Sequence, residues 1–143
     1  MIPTAILDTN VLVQAVISSP PAASARVLDA YYEHKFRLVY SSASLDELLD
    51  VLLLPTIRRR HGFSDEEVVD FIGSLLVRAS CYTPEDSISA GVTRDATDTH
   101  LLALAAESGA DYLVTNDHRH LLRLRRYHRT EIVTPAVFLR RLS

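Results

Sequence analysis

The sequence predicts an α/β protein with a mainly parallel sheet covered by helices on both faces. Short apolar, β-prone runs alternate with segments of helical periodicity, the pattern of strand–helix–strand units. Serine, asparagine, proline and glycine punctuate the helical segments where starts and stops are needed. Acidic residues also recur where a strand hands over to a helix or inside a helix's first turn. These are Asp8, Glu47, the Asp95/Asp98 pair and Asp117.

Thr4-Ala5-Ile6-Leu7 is an apolar run ending at Asp8 and reads as a buried first strand. Asn10 can cap the helix that follows, with Val11, Leu12, Ala15 and Val16 on one face. Ser18-Ser19-Pro20-Pro21 breaks it. Residues 22–34 read as a second helix and residues 36–40 as the second strand. Ser42 or Ser44 then caps a third helix running to about Leu54, where Pro55 stops it.

Ser64-Asp65-Glu66-Glu67 is a capping-box pattern that opens a fourth helix, reaching about Arg78. A short edge strand is expected at 80–83, followed by a polar stretch to Arg94. Thr97 begins a fifth helix through Glu107, terminated by Gly109. Strands at 111–115 and 131–134, a short helix at 119–125 and a final helix at 135–142 complete the reading. No linker or internal repeat interrupts residues 1–143, so one domain is expected.

Bulk composition narrows the functional classes. The chain is 48% hydrophobic and can bury a core without covalent staples. The only cysteine, Cys81, cannot form an internal disulfide, and no basic segment precedes the first apolar run. No apolar stretch reaches the roughly 20 residues of a membrane span. A cytoplasmic protein without a membrane partner is the expectation. A net charge of −3 argues against a general nucleic-acid coat, yet the charge is uneven. Arg58-Arg59-Arg60-His61 forms one basic block, and residues 119–129 are rich in arginine and histidine without an acid. Each block alone reads as a solvated surface; beside an acidic pocket, both would suit a polyanion.

In an open α/β sheet the handover points line the carboxyl edge, so the scattered acids can meet in one pocket. Clustered carboxylates repel and raise one another's pKa unless a cation lies among them. Oxygen donors suit Mg²⁺ or Mn²⁺, and such sites commonly serve phosphate chemistry. Taken singly, each acid also has a plainer role. Asp8 or Asp117 could form a turn, Glu47 could be a solvated helix charge, and Asp95 and Asp98 could complement a helix dipole. Glu47 is nearer the buried side than Asp46, because Leu45, Leu48, Leu49 and Leu52 define that face. Asp98 precedes the burying Leu101, Leu102, Ala105 and Ala106 and is the stronger ligand candidate of its pair. Asp95 is open to direct ligation, a water-mediated role or capping. Thr115 and Asn116 are short polar groups able to orient neighbouring carboxylates. His100, His118, His120 and His128 lack the spacing of a zinc-protease helix, and one cysteine excludes a thiolate cluster.

Leu7-Asp8-Thr9-Asn10-Val11-Leu12, Leu45-Asp46-Glu47-Leu48, Arg94-Asp95-Ala96-Thr97-Asp98 and Gly109 to Asp117 resemble, in order and spacing, the PIN-domain nucleases. The closing Ile132-Val133-Thr134-Pro135 with Phe138-Leu139 is similar too, and the chain looks closest to VapC-like toxins of bacterial toxin–antitoxin systems. The resemblance implies a three-layer α/β/α sandwich and an acidic pocket for Mg²⁺ or Mn²⁺. It also implies cleavage of RNA by water activated by the cation, a homodimer and a restraining antitoxin. On it, Asp8, Glu47, Asp98 and Asp117 carry over as the acidic quartet and metal ligands, and Asp95 as an accessory acid. Thr9, Asn10, Thr115 and Asn116 carry over as support. Departures at Ala96, Thr97, Thr99 and His118-Arg119-His120 leave the quartet intact and bear on metal stoichiometry.

Other classes fit less well. A receiver domain needs a lysine after a late strand, but the sole lysine, Lys35, precedes the second. A haloacid-dehalogenase-type phosphatase needs an aspartate where Asn10 stands. A dinucleotide fold needs glycines after the first strand, and the earliest is Gly62. A PIN fold used in RNA processing, or as a catalytically silent binding module, is the remaining alternative.

Overall fold

The structure, a computed structural model, describes residues 2–84 and 96–143, and only the backbone of 96–98. Its strands are β1 (Thr4–Leu7), β2 (Arg37–Ser41), β3 (Ser80–Tyr82), β4 (Tyr112–Val114), β5 (Arg126–Tyr127) and β6 (Thr130–Val133). Its helices are α1 (Thr9–Ile17), α2 (Ala23–Tyr32), α3 (Ser42–Leu52), α4 (Pro55–His61), α5 (Asp65–Leu76), α6 (Ala96–Ser108), α7 (Leu121–Leu124) and α8 (Pro135–Leu142). The sheet order is β3-β2-β1-β4-β6-β5. Every neighbouring pair is parallel except β5 with β6.

Alternation along the strands divides the core into two layers. Ala5, Leu7, Leu38, Val114 and Val133 pack on one side with residues of α1, α2, α3, α5 and α8. Ile6, Val39, Leu113 and Ile132 point to the other, against Leu101, Leu102, Leu104 and Ala105 of α6 and Leu121 of α7. A two-residue period within parallel strands buried on both faces produces the expected α/β/α sandwich. No helix among the described residues is long and apolar enough to cross a membrane.

Several local expectations shift. Asn10 is not the cap of α1: the helix starts at Thr9, one residue after β1, so Asp8 occupies the N-cap position and Asn10 lies in the first turn. Neither Ser42 nor Ser44 is the N-cap of α3. Ser41 is, and Ser44 returns a bond to its backbone amide at 2.8 Å, forming a capping box three residues apart. Pro55 ends α3 as expected but also opens α4, since proline at the first helical position sacrifices only an amide without an intrahelical partner. The Arg58–His61 block therefore sits in the last turn of α4, where the helix dipole favours positive charge. Gly62, at φ 70°, closes that helix. The helix expected over 119–125 contracts to α7, and the chain then turns through His128 into the β5–β6 hairpin.

α8 runs back from the carboxyl end of β6 and packs over the amino ends of β2 and β4. Thr134 caps its first turn through the Val137 amide at 3.2 Å, and Pro135 supplies a preset φ. Fully buried Phe138 meets Phe36 edge-on at 4.9 Å between ring centroids and Tyr112 at 5.4 Å. Truncating it removes both ring contacts and leaves a cavity. Phe138→Ala is expected to cost about 3–5 kcal/mol, read from urea unfolding. A loss below about 1 kcal/mol would show that α8 does not anchor the sheet.

Candidate active site

β1 delivers Asp8 to the carboxyl edge of the sheet at its centre. The Asp8 amide donates to the Val114 carbonyl at 2.9 Å, fixing its backbone against the end of β4. Its carboxylate does not cap α1. It accepts instead from the Thr115 hydroxyl at 2.7 Å and from the Asn10 side-chain amide at 3.4 Å. Asp8 is 6% exposed and Thr115 is fully enclosed.

Burial pushes the Asp8 carboxyl above its usual range. The Thr115 bond opposes this, the Glu47 charge reinforces it, the Thr9 amide opposes it, and the Asp117 charge adds to it. Glu47 and Asp117 therefore act on Asp8 from different elements. Thr115 also couples two acids directly, because its oxygen accepts from the Asp117 amide at 3.0 Å while its proton goes to Asp8. Asn10 makes a second tie, its side-chain oxygen accepting from the Asn116 amide at 3.3 Å.

Glu47 lies on the half-buried side of α3, whereas Asp46 is exposed. Its Oε2 accepts from His100 Nε2 at 3.0 Å, joining α3 to α6. The side chains are 28% and 22% exposed. A carboxylate acceptor places a proton on Nε2, and the buried Nδ1 has no hydrogen-bond partner among the described residues. His100, a histidine without zinc-site spacing in the sequence, hydrogen-bonds Glu47 across two helices. Sequence could not pair them, because 53 residues separate them and each helix's rotation is set by packing.

Asp117 takes the plainer of its expected roles, that of a turn former. Its carboxylate accepts from the backbone amides of Arg119, His120 and Leu121 at 3.1–3.3 Å, organising the turn into α7. His120 Nδ1 approaches its Oδ2 at 3.5 Å. The same carboxylate contributes to the field at Asp8. Asp98 lies in the first turn of α6, with its side chain outside the description, and Asp95 falls outside the described residues.

Thus Asp8, Asn10, Thr115, Asn116 and Asp117 form one hydrogen-bonded group, Glu47 acts on it electrostatically, and buried Thr9 supplies an amide. Among the described residues no three histidine, cysteine or acidic side chains converge as a ready metal cage. The donor chemistry nevertheless suits a hard divalent cation: a buried carboxylate destabilised by two neighbouring acids, with oxygen donors around it. A cation there would offset the repulsion that now favours protonation of Asp8.

An acid whose folded pKa is raised binds its proton more tightly folded than unfolded. Its contribution to stability is present below the unfolded pKa and is lost as pH rises through the folded one. Asp8→Asn, which keeps an oxygen for Thr115, is expected to raise the melting temperature of metal-free protein at neutral pH. That gain should fade on acidification below the carboxylate range. A lower melting temperature at neutral pH would contradict the assigned burial cost.

The PIN-domain family profile matches residues 4–119, from β1 to just beyond Asp117. Among solved structures, VapBC2 from Rickettsia felis, bound to a DNA fragment from its promoter, is 18% identical. The match covers 92% of this chain and 98% of that one, with a TM-score of 0.56. FitAcB from Neisseria gonorrhoeae gives the same identity, coverage and TM-score. FitAB bound to an IR36 DNA fragment matches at 17% identity, 92% and 94% coverage and a TM-score of 0.55. No curated protein sequence matches the chain. These structures share the fold, and the profile match over most of the chain makes it a member of the PIN-domain family.

Proposed function

We propose that the protein is a divalent-metal-dependent ribonuclease, the toxin of a toxin–antitoxin pair. The observation that carries this reading is the buried Asp8 carboxylate, held by Thr115 and raised by Glu47 and Asp117 at the carboxyl edge of the sheet. That arrangement is poorly suited to a structural ion pair, since no cationic side chain pairs with Asp8 among the described residues. It is well suited to a bound cation. Family membership supports nuclease chemistry, and the fold shared with VapBC2 and FitAcB supports pairing with an antitoxin. Homodimerisation and a cytoplasmic location belong to the same proposal.

In this reading Asp8, Glu47, Asp98 and Asp117 hold Mg²⁺ or Mn²⁺, with Asp95 as an accessory acid. When bound, the cation supplies Lewis acidity for attack of water on a phosphodiester. Thr115 holds Asp8 in one orientation. His100 occupies Oε2 of Glu47 and leaves Oε1 for another partner. Asp117, fixed by three backbone amides, keeps its position without help from the cation. Exposed arginines at 59, 60, 119 and 123 offer charge to an RNA backbone.

Purified protein should cleave a labelled RNA pool with Mn²⁺ and not with EDTA. Folded Asp98→Asn should lose more than the roughly 10–100-fold typical of outer-sphere partners. Wild-type turnover by that variant would remove Asp98 from the site. His100→Ala should weaken Mn²⁺ binding, measured calorimetrically, by about tenfold. His100→Gln, which can still donate to Glu47, should restore most of it; equal affinity in all three proteins would make the contact purely architectural.

A further inference from the structure

Positive charge gathers at the amino edge of the sheet, away from Asp8. Glu33, Asp111 and Glu131, acids near this edge, each face a cation: Lys35 at 3.9 Å, Arg129 at 2.8 Å and Arg141 at 3.0 Å. No acidic side chain pairs with Arg37 or Arg78 among the described residues. Both arginines line one recess of about 340 Å³, together with Ile2, Tyr31, His34 and Phe36. That volume falls within the range of small-molecule sites. The end of α2, the start of β2 and the residues after α5 build it. Two contacts fix α2 against α5. The Tyr31 hydroxyl donates to the Leu75 carbonyl, and the Tyr32 hydroxyl meets that of Ser74 at 2.7 Å.

His34 sits in this recess at a conformational cost. α2 ends in a left-handed turn, with His34 at φ 62°. Its amide donates to the Tyr31 carbonyl and the Lys35 amide to that of Ala30, each at 3.0 Å. Glycine is the usual residue at this position, because a Cβ strains the left-handed conformation. The two amides already satisfy carbonyls of the last turn, so those carbonyls need no basic side chain as a cap. The Arg78 guanidinium donates to His34 Nδ1, which leaves the ring proton on Nε2. A basic group is thus held by another basic group, and both keep N–H donors for an external anion.

We propose that this recess binds a phosphate monoester. Its dianionic head lies on Arg37, Arg78 and His34, and its organic part lies against Ile2, Tyr31 and Phe36. A carboxylate is satisfied by a single arginine fork. A phosphate monoester carries nearly two charges and three acceptor oxygens, which two guanidinium groups and an imidazole N–H match. Ile2, 41% exposed, supplies apolar surface beside them. The site lies at the edge opposite Asp8 and is independent of the ribonuclease reading. A ligand there ties three segments together and stabilises the folded chain.

The test is calorimetric titration of metal-free protein in EDTA with phenyl phosphate, inorganic phosphate and benzoate at constant ionic strength, with melting temperatures measured alongside. Phenyl phosphate should bind most tightly and raise the melting temperature. Arg37→Gln and Arg78→Gln, both at exposed positions, should each weaken it about tenfold while melting close to wild type without ligand. Arg26→Gln, outside the recess, should leave the affinity unchanged. His34→Gly relieves the left-handed backbone, so it should melt close to wild type yet bind more weakly. A His34→Gly protein that melts lower and binds as tightly would overturn the role of the imidazole. Wild-type affinity in both arginine variants, or no binding of any probe at about 10 mM, would overturn the site. Inorganic phosphate binding as tightly as phenyl phosphate would overturn the assignment to an organic monoester. Tighter binding of benzoate would overturn phosphate as the head group.

Discussion

The hydrogen bond from Thr115 to Asp8 governs the carboxyl edge of this sheet. It spans 107 residues of sequence and joins the ends of two adjacent parallel strands. Without that donor, only the Thr9 amide and the longer Asn10 contact would oppose desolvation and two neighbouring negative charges at this buried carboxylate. The same hydroxyl accepts from the Asp117 amide, so one side chain sets the separation of two acids. It does so from a rigid strand end rather than a loop, which suits positioned chemistry.

Around that bond the protein separates structural from functional acid. Asp111 lies at the opposite end of β4, where it accepts from the Thr4 amide and hydroxyl and pairs with Arg129 at 2.8 Å. Its charge is answered within the protein. Among the described residues Asp8 has hydrogen-bond donors but no charged partner of opposite sign, and Glu47 has a histidine on one oxygen. Among the described residues, the charge at the amino end of β4 is paired with an arginine, whereas Asp8 is held by hydrogen bonds.

Much of this was legible in the residues, for identifiable reasons. Buried parallel strands read as apolar runs, so β1 and the elements after it could be ordered, and Pro135 with Thr134 bounded α8 closely. Asp8 and Asp117 could be assigned to one edge because strand direction alone puts them there. Four features could not be read. Caps shifted by one to three residues, because Ser41, Ser42 and Ser44 offer the same local chemistry and packing selects among them. The two-residue β5 is too short to have a period, and α4 is hidden behind a proline that both stops and starts helices. The Glu47–His100 pair depends on how two helices rotate against the sheet, which neither segment encodes alone.

The central claim is that the acids at this edge hold a divalent cation. A crystal soaked in Mn²⁺ and measured at the manganese absorption edge tests it most directly. The account predicts an anomalous peak within about 2.0–2.4 Å of an Asp8 carboxylate oxygen and of at least one oxygen from Glu47, Asp98 or Asp117. A peak confined to the histidines at 118, 120 or 128, or none beside an ordered and ionised Asp8, would contradict it.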